Sequence, residues 1–350
     1  NYLLVHQSFK INNRSFTEES FKVYITELLN SEEIYLREIG VFLKDWTSSV
    51  DYIIVNTSGS TGAPKEIKLL KKHIINSAFA TGKYFGLKEN TTALLCLSAT
   101  YIAGKMMLVR AMTLGWNIHL VPPTSSPLKN DAIYDFAAMV PMQVTNSLDK
   151  LQNIKQLIIG GAPVSQNLQK QLYKVATQCY VTYGMTETCT HIAIKSLDIN
   201  AKDVYNVLPN VIITQDDRGC LVISATTISN ETIITNDVVK LVSKTQFQWL
   251  GRFDSVINSG GVKLFPEQIE KKLSQLITSR FFIAGIPDET LGEQVVLVIE
   301  TDSEFELDKK VLSNLLLKYE IPKAIFFVKK FKETPTGKVH RSNTLKEILR

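Results

Sequence analysis

Hydrophobic and polar positions follow a regular alternation between residues 51 and 184. Short apolar runs typical of buried strands are separated by segments with the 3.6-residue spacing of amphipathic helices. This alternation predicts a parallel α/β sheet with helices on its faces. The predicted strands are 52–55, 93–97, 118–121, 156–159 and 180–183, and the predicted helices are 74–85, 102–114, 131–139 and 165–175, the last capped by Ser165.

The pattern differs on either side of this region. One helix is predicted before it, over 17–30, with Phe21, Tyr24, Ile25 and Leu28 on one face. From about residue 205 the chain predicts short β segments with turns between them, a β-rich subdomain that we expect to form a distorted barrel. These segments are 211–213, 220–224, 232–235 and 238–242.

A further change occurs near Gly251-Arg252-Phe253-Asp254. Beyond it, helices and strands alternate in an order that predicts a small α+β unit. We therefore expect a large domain over 1–253 and a small C-terminal domain over 254–350. The predicted helices of the small domain are 266–276 and 307–318, and its strands are 281–284, 294–300 and 324–328.

Composition excludes several classes of protein. The chain has 350 residues, a formal charge of +5 and 45% hydrophobic residues, which suits a globular protein of about two domains. No basic helix is interleaved with aromatic residues, so a nucleic-acid partner is not expected. The apolar region 94–116 is interrupted by Lys105 and Arg110, which disfavours a membrane span, and no signal-peptide pattern is present. The four cysteines lack CxxC spacing, so we expect buried, reduced thiols in a cytoplasmic protein.

A loop rich in hydroxyl groups follows the predicted strand 52–55. Its glycines allow a close approach of the backbone to a ligand, and its hydroxyls, N–H groups and lysine suit a polyphosphate. It differs from the usual P-loop because Ala63-Pro64 separates the second glycine from the lysine. A surface turn remains the alternative for this loop alone. The candidate phosphate ligands are Thr57, Ser58, Gly59, Ser60, Thr61, Gly62 and Lys65.

Further motifs follow this loop in a fixed order. In that order they strongly resemble those of the acyl-adenylate-forming superfamily of AMP-dependent synthetases and ligases, which includes acyl-CoA synthetases, adenylation domains of peptide synthetases and firefly-type luciferases. The resemblance covers nearly all of the chain from Val55 on. The motifs are GGAP at 160–163, YGMTET at 183–188, TND at 235–237, GRFD at 251–254 with SGGVK at 259–263 and PEQIE at 266–270, and PTGK at 335–338.

The resemblance implies a fold and a reaction. The fold is a large α/β N-terminal domain with a β-rich subdomain, followed by a small mobile α+β domain. The reaction joins a carboxylate to ATP, giving acyl-AMP and pyrophosphate, and then passes the acyl group to the thiol of CoA. Because two anions meet in the first step, Mg²⁺ and a lysine are needed to offset their repulsion.

The resemblance also implies residue roles for the first half-reaction. Glu187 holds Mg²⁺, Thr186 contacts the α-phosphate, and Lys338 bridges the substrate carboxylate and the α-phosphate. The loop at 57–65 binds the β- and γ-phosphates. The AMP-binding residues are Gly161 and Ala162 on one side of adenine, Tyr183 stacked on the other, Gly184 beside it, and Asp237 and Arg252 on the ribose.

For the second half-reaction the resemblance implies a domain rotation. Asp254 marks the hinge, and Gly260 and Gly261 approach the thiol of CoA. Each residue of the set has a common structural role when taken alone. A catalytically inactive nucleotide-binding module is a further alternative, which intact Glu187 and Lys338 argue against.

The chain departs from the family pattern in two places. Only 56 residues precede the phosphate loop, so the large domain is expected to be shortened, which leaves open a homodimer whose partner supplies pocket walls. Tyr101 stands where many relatives have a histidine before Gly104, and Glu66 replaces a common glycine.

Candidate acyl-pocket residues include several cations, with Arg110 among them. Cations beside the pocket suit a substrate with a second carboxylate rather than a long apolar chain, unless they face solvent. The short length and the Ile-Ala-Gly run at 102–104 resemble the o-succinylbenzoate–CoA ligases of menaquinone biosynthesis, so this aromatic dicarboxylate is the expected substrate. Another acyl-CoA ligase and an enzyme that loads a carrier protein remain alternatives. The substrate-binding candidates are Tyr101, Lys105, Gly160, Met185 and His191.

Overall fold

The computed structural model describes residues 5–56, 66–333 and 339–349. The phosphate loop at 57–65 and Lys338 lie outside these ranges, so the predictions for them stay predictions. The helices of the described residues are α1 (Glu18–Leu29), α2 (Ile34–Thr47), α3 (Lys71–Phe85), α4 (Ile102–Leu114), α5 (Pro141–Thr145), α6 (Gln166–Leu172), α7 (Pro266–Leu273), α8 (Lys309–Leu315) and α9 (Arg341–Ile348).

The strands of the described residues fall into one large sheet, one small sheet and a separate hairpin. They are β1 (Lys10–Ile11), β2 (Arg14–Ser15), β3 (Tyr52–Asn56), β4 (Glu66–Leu70), β5 (Thr92–Leu95), β6 (Asn117–Leu120), β7 (Tyr134–Met139), β8 (Ile154–Ile159), β9 (Gln178–Gly184), β10 (His191–Ser196), β11 (Tyr205–Val207), β12 (Ile212–Gln215), β13 (Cys220–Ser224), β14 (Ile233–Ser243), β15 (Gln246–Arg252), β16 (Ile257–Ser259), β17 (Val262–Leu264), β18 (Phe281–Asp288), β19 (Gly292–Glu300) and β20 (Ala324–Val328).

The large sheet has 13 strands in the order β12-β13-β14-β15-β11-β10-β9-β8-β7-β5-β6-β1-β2. From β9 to β1 neighbouring strands are parallel, and from β9 to β12 they are antiparallel. The parallel α/β sheet predicted from the sequence is confirmed. The expected barrel is wrong, because β11 to β15 extend the same sheet through the pairing of β10 with β11.

The central parallel strands β5, β7 and β8 are buried on both faces. Phe136 and Ile158 face a core packed by α1 to α4, whereas their neighbours Ala137 and Leu157 face a second core with α5 and α6. Strands of this kind are continuous apolar runs rather than alternating patterns. The helix predicted over 131–139 is wrong for this reason, since that run is strand β7.

Other differences between prediction and structure are local. Helix α2 lies in the region where the sequence pattern is mixed, and it buries Leu43 and Trp46. Helix α3 buries Ile74 and Ala78, but Phe79, which the pattern places on the buried stripe, is 52% exposed. The two predicted segments 232–235 and 238–242 form the single strand β14, with an irregular register after Val238.

The hairpin of β3 and β4 determines where the phosphate loop starts and ends. Asn56 pairs with Glu66, so the loop connects two antiparallel strands that stand apart from the large sheet. We expected this loop to follow a strand of the parallel sheet, which is wrong. Strand β4 nevertheless lies against the turn Thr186–Thr188 of the YGMTET motif.

The small C-terminal unit has its own sheet and cores. Strands β16 to β19 form the sheet, with β20 added parallel to β19. Helices α7 and α8 pack on one face, and Phe282 and Phe331 belong to a core on the other. The 3-10 turn Phe253–Ser255 links β15 to β16, so the proposed boundary at residue 254 falls in this turn. In the described part of the chain, none of the helices combines the length and apolar character needed to cross a membrane.

Candidate functional site

A cavity of about 730 Å³ opens at the carboxyl ends of β8 and β9, which is where open α/β sheets bind ligands. Strands β14 and β15 form one wall, and helix α7 of the small unit forms another. Six residues predicted from the motifs line this cavity together: Gly160, Gly161, Ala162, Tyr183, Gly184 and Asp237.

Asp237 is the centre of the hydrogen-bond network at this cavity. Its carboxylate accepts from the Tyr183 hydroxyl at 2.7 Å and from the Trp249 indole N–H at 3.2 Å. Strand pairing places Arg252 directly opposite, with 3.7 Å between Nη1 and Oδ1. Asp237 is only 7% exposed, so these donors compensate for the buried charge. A carboxylate has about four lone-pair sites, which leaves acceptor capacity for ligand hydroxyls.

Tyr183 is fixed by both its ring and its hydroxyl. The ring lies edge-on to Phe247 with 5.2 Å between centroids. Burial, and then the charge of Asp237, raise the pKa of Tyr183 far above its ordinary value, so the hydroxyl stays protonated and donates. A ring fixed in this way is a preorganised wall for a flat ligand such as adenine.

Two glycines of the site are required by the backbone itself. Gly161 has φ of +80°, a conformation that most residues avoid. A Cβ atom at Gly184 would lie 2.3 Å from the Thr190 carbonyl oxygen, so only glycine allows β9 to approach the start of β10 this closely. The motif glycines therefore shape the cavity as well as leaving room for a ligand.

Glu187 lies in the 3-10 turn Thr186–Thr188, directly after β9. Thr188 is buried and bonds to the backbone of Met185 and Thr190, which fixes the turn. Glu187 itself is exposed, and within the described residues its carboxylate has no hydrogen bond or ion pair. Mg²⁺ in nucleotide sites typically uses one or two carboxylates with substrate phosphates, so the single carboxylate of Glu187 fits that ion.

Arg252 and Asp254 lie together at the junction of the two units. Arg252 Nε is 3.4 Å from Asp254 Oδ1, in addition to its contact with Asp237. The CoA-side glycines Gly260 and Gly261 form the turn between β16 and β17, with φ of +57° and +79°. Two residues with positive φ are typical of a tight hairpin turn, which accounts for both glycines structurally. A thiol-side role for them stays a prediction.

The small unit contributes charged groups to the cavity wall. Arg341, three residues after Lys338 in the sequence, lines the cavity and pairs with Glu270 at 2.9 Å. Lys271 of α7 reaches Asp203 at 2.5 Å, and Asp203 also accepts from Lys195 at 2.7 Å. Through these contacts α7 is held against the large sheet beside the candidate nucleotide pocket.

The acyl-pocket candidates separate into two places. His191 is buried at the start of β10, and its Nδ1 lies 3.5 Å from Nη2 of Arg110 on α4. Lys105 faces elsewhere, 5.7 Å above the Phe42 ring of α2. Tyr101 is 61% exposed at the start of α4. The structure thus brings Arg110 and His191 together and does not bring Lys105 to them.

Arg110 is a buried charge to which the described residues offer no acidic partner. It is 1% exposed, and no described carboxylate lies within 4.0 Å of its guanidinium. The segments 1–4, 57–65 and 334–338 contain no Asp or Glu that could supply one. Burial lowers the pKa of Arg110 to about 9. An isolated buried charge is costly, so this arginine is suited to an anion supplied by a ligand.

Several residues of the site escape motif reasoning. Trp249 donates to Asp237, yet nothing in the motif pattern singles it out. Its spacing of three before Arg252 would put the two side chains on opposite faces of a regular strand, and only the irregular register between β14 and β15 brings them to the same side. Thr81 contacts His191 from helix α3, far away in sequence. Asp203 lies in a loop, where charged residues are common, so its sequence position gives no sign of a role. Long-range pairing, which one sequence does not reveal, determines all three positions.

We expect Asp237→Asn to weaken ATP binding. The substitution removes the charge and places an amide NH₂ against donor groups, so the KM for ATP should rise about tenfold to a hundredfold, the range for a hydrogen bond to a charged group. Steady-state kinetics would measure this, with the KM for the carboxylate little changed. Asp216→Asn, in an exposed turn beside Arg218, is the matched control. An unchanged KM for ATP in a folded variant would rule out a ribose role for Asp237.

Comparison with known proteins places this geometry in a family. A family model described as AMP-binding enzyme matches residues 43–214. The chain is 37% identical to an acyl-CoA synthetase (AMP-forming)/AMP-acid ligase II-like protein from Dyadobacter fermentans of known structure, over 93% of this chain and 98% of that one, with a TM-score of 0.63. The fold expected from the motifs is confirmed.

More distant relatives have assigned activities. A 2-succinylbenzoate–CoA ligase of Bacillus cytotoxicus is 23% identical over 97% of this chain and 78% of the relative. The O-succinylbenzoate coenzyme A synthetase of Bacillus subtilis, solved with ATP and magnesium ion, has a TM-score of 0.73 at 19% identity, over 83% of this chain and 69% of that one. At that identity the structural likeness shows the shared fold alone.

Proposed function

This chain belongs to the AMP-binding enzyme family, and on that premise we propose that it is an ATP-dependent carboxylate–CoA ligase. The carboxylate and ATP give acyl-AMP and pyrophosphate, and CoA then gives the thioester and AMP. The observation that carries the proposal is the cavity in which the glycine turn at 160–162, Tyr183 and Asp237 meet. Its walls match the needs of adenosine, a flat base and a pair of ribose hydroxyls.

The described residues divide the first half-reaction among them. Tyr183 and the turn Gly161-Ala162 flank the base, and Asp237 accepts from the ribose hydroxyls. Mg²⁺ held at Glu187 would offset the charge of the phosphates as the carboxylate approaches. Thr186, in the same turn as Glu187, would contact the α-phosphate, and strand β4, which follows the loop at 57–65 in the sequence, packs against that turn.

We infer that the substrate is o-succinylbenzoate. Two of the relatives named above act on this compound, and the compound has a second carboxylate besides the one that is activated. Arg110 supports the inference, because it is a buried cation without an acidic partner in the described chain and lies beside Thr190, three residues after Glu187. A cytoplasmic location is supported by the four cysteines, all buried and free.

The decisive experiment is ATP–pyrophosphate exchange across a panel of carboxylates. The panel contains o-succinylbenzoate, benzoate and medium-chain fatty acids. We expect exchange with o-succinylbenzoate, and thioester formation when free CoA is added without any carrier protein. Exchange with fatty acids and none with o-succinylbenzoate would reject the substrate. Thioester formation only on a carrier protein would reject the CoA ligase.

A further inference from the structure

A chain of buried polar side chains joins helix α3 to the arginine of α4. Arg110 Nη2 lies 3.5 Å from His191 Nδ1, and His191 Nε2 lies 3.2 Å from Thr81 Oγ1. The Thr81 hydroxyl also lies 3.1 Å from the carbonyl oxygen of Ser77. Arg110, His191 and Thr81 are at most 4% exposed. These groups must therefore satisfy one another rather than water.

The donor and acceptor groups determine where each proton lies in this series of hydrogen bonds. A guanidinium only donates, so His191 must present the lone pair of Nδ1 to Arg110. A neutral imidazole then carries its proton on Nε2, and that N–H donates to Thr81 Oγ1. The Thr81 hydroxyl, whose oxygen accepts from His191, then donates its own proton to the Ser77 carbonyl oxygen, which lies within hydrogen-bond distance. The positions of the heavy atoms thus select one histidine tautomer.

The neutral form of His191 agrees with its surroundings. An imidazolium would point an N–H at the guanidinium and place two positive charges side by side. Burial, and then the charge of Arg110, hold the pKa of His191 well below its usual 6.5. His191 therefore acts as a fixed acceptor and not as a second cation beside Arg110. This differs from the expectation that it adds positive charge to the acyl pocket.

The contacts hold Arg110 from one end of its guanidinium. Nη2 bonds to Thr190 Oγ1 at 3.3 Å as well as to His191, whereas the one contact of Nη1 among the described residues is the weak one to Met107 Sδ at 3.6 Å. The Nε–H has no hydrogen-bond partner in the described residues. Donors therefore remain for a ligand on a group whose orientation is already set.

We propose that His191 and Thr81 are positioning residues that orient the Arg110 guanidinium for the second carboxylate of the substrate. The proposal rests on the proposed function, in which Arg110 binds that carboxylate. A planar guanidinium recognises a carboxylate well only in a defined orientation, because both groups are planar and pair through two parallel hydrogen bonds. The hydrogen-bonded series Thr81–His191–Arg110, called the relay below, thereby contributes to the selection of dicarboxylates.

Thr81→Val tests the relay with little change in volume. It removes the acceptor for the His191 Nε2–H, so the tautomer is no longer fixed and Arg110 loses a dependable acceptor. We expect the KM for o-succinylbenzoate to rise about two- to tenfold, the effect of one net hydrogen bond, with the KM for ATP unchanged. Thr81→Ser retains the hydroxyl and should behave as the wild type.

A spectroscopic readout separates orientation from general stability. In ¹⁵N-histidine-labelled protein, the resonance that disappears in His191→Phe reports the tautomer of His191. We expect the Nε2–H form in the wild type and in Thr81→Ser, and a mixture in Thr81→Val. Thr177→Val is the matched control, since Thr177 is also a buried threonine that donates to a backbone carbonyl, at the opposite end of β9.

The outcomes distinguish this proposal from the one on which it rests. A raised KM in Arg110→Met with an unchanged KM and tautomer in Thr81→Val would overturn the positioning role alone. If the wild type has the Nε2–H tautomer but Arg110→Met leaves the KM for o-succinylbenzoate unchanged, the proposal that Arg110 binds the second carboxylate is rejected instead. Equal effects of Thr81→Val and Thr177→Val would show a loss of stability and also overturn the relay.

Discussion

Replacing Lys338 with alanine is expected to abolish adenylation and leave thioester formation from supplied acyl-AMP intact. Negative charge develops between the attacking carboxylate and the α-phosphate only in the first half-reaction. A preorganised cation at that place is worth on the order of 10²–10³ in rate. ATP–pyrophosphate exchange measures the first step, and release of AMP from acyl-AMP and CoA measures the second.

The described residues on either side of the segment 334–338 are held in defined contacts. Glu333 and Val339, on either side of the segment that contains Lys338, are paired by an antiparallel bridge. Arg341 then lines the cavity and is held by Glu270. Lys330→Ala is the matched control, since Lys330 is exposed on the same unit. Equal loss of both half-reactions in Lys338→Ala would contradict the division of labour between the two steps.

How much of the fold could be predicted depended on the kind of pattern. The central strands β5 and β8 follow from short apolar runs, because strands buried on both faces consist mostly of apolar residues. The same kind of apolar run gave a wrong prediction at β7, because a run with alanine and methionine fits a buried helix as well as a strand. Pairing of β10 with β11, which makes the β-rich region part of the large sheet, leaves no local signal.

The candidate site divides in a similar way. The motifs predicted Gly161, Tyr183 and Asp237, and the structure places all three at one cavity. The residues of the acyl pocket were harder to predict from the sequence, because the charge of a residue does not show which way its side chain points. Lys105 and Arg110 are both cations of α4, yet they are five positions apart and so lie on different sides of the helix. Only the folded chain shows that Arg110 meets His191.

Asp254→Pro is expected to have the opposite effect to Lys338→Ala, with adenylation retained and thioester formation lost. Asp254 is the second residue of the 3-10 turn between β15 and β16. Its N–H has no partner within such a turn, so proline removes no hydrogen bond there. Proline does fix φ near −65° and restricts Phe253 before it. A domain rotation about this turn requires backbone torsions to change.

The size of the effect follows from how strongly proline disfavours the rotated state. A proline that the backbone cannot accommodate costs about 3 kcal/mol, and each 1.4 kcal/mol reduces the population of the rotated state about tenfold. We therefore expect thioester formation to fall on the order of a hundredfold. Asp254→Ala is the control, because it removes the contact with Arg252 and leaves the backbone free. If the alanine variant loses thioester formation as completely as the proline variant, the side chain matters and a hinge at residue 254 is rejected. If both variants keep both half-reactions, rotation occurs about other residues, and the turn Phe253–Ser255 is only a rigid link between the two sheets.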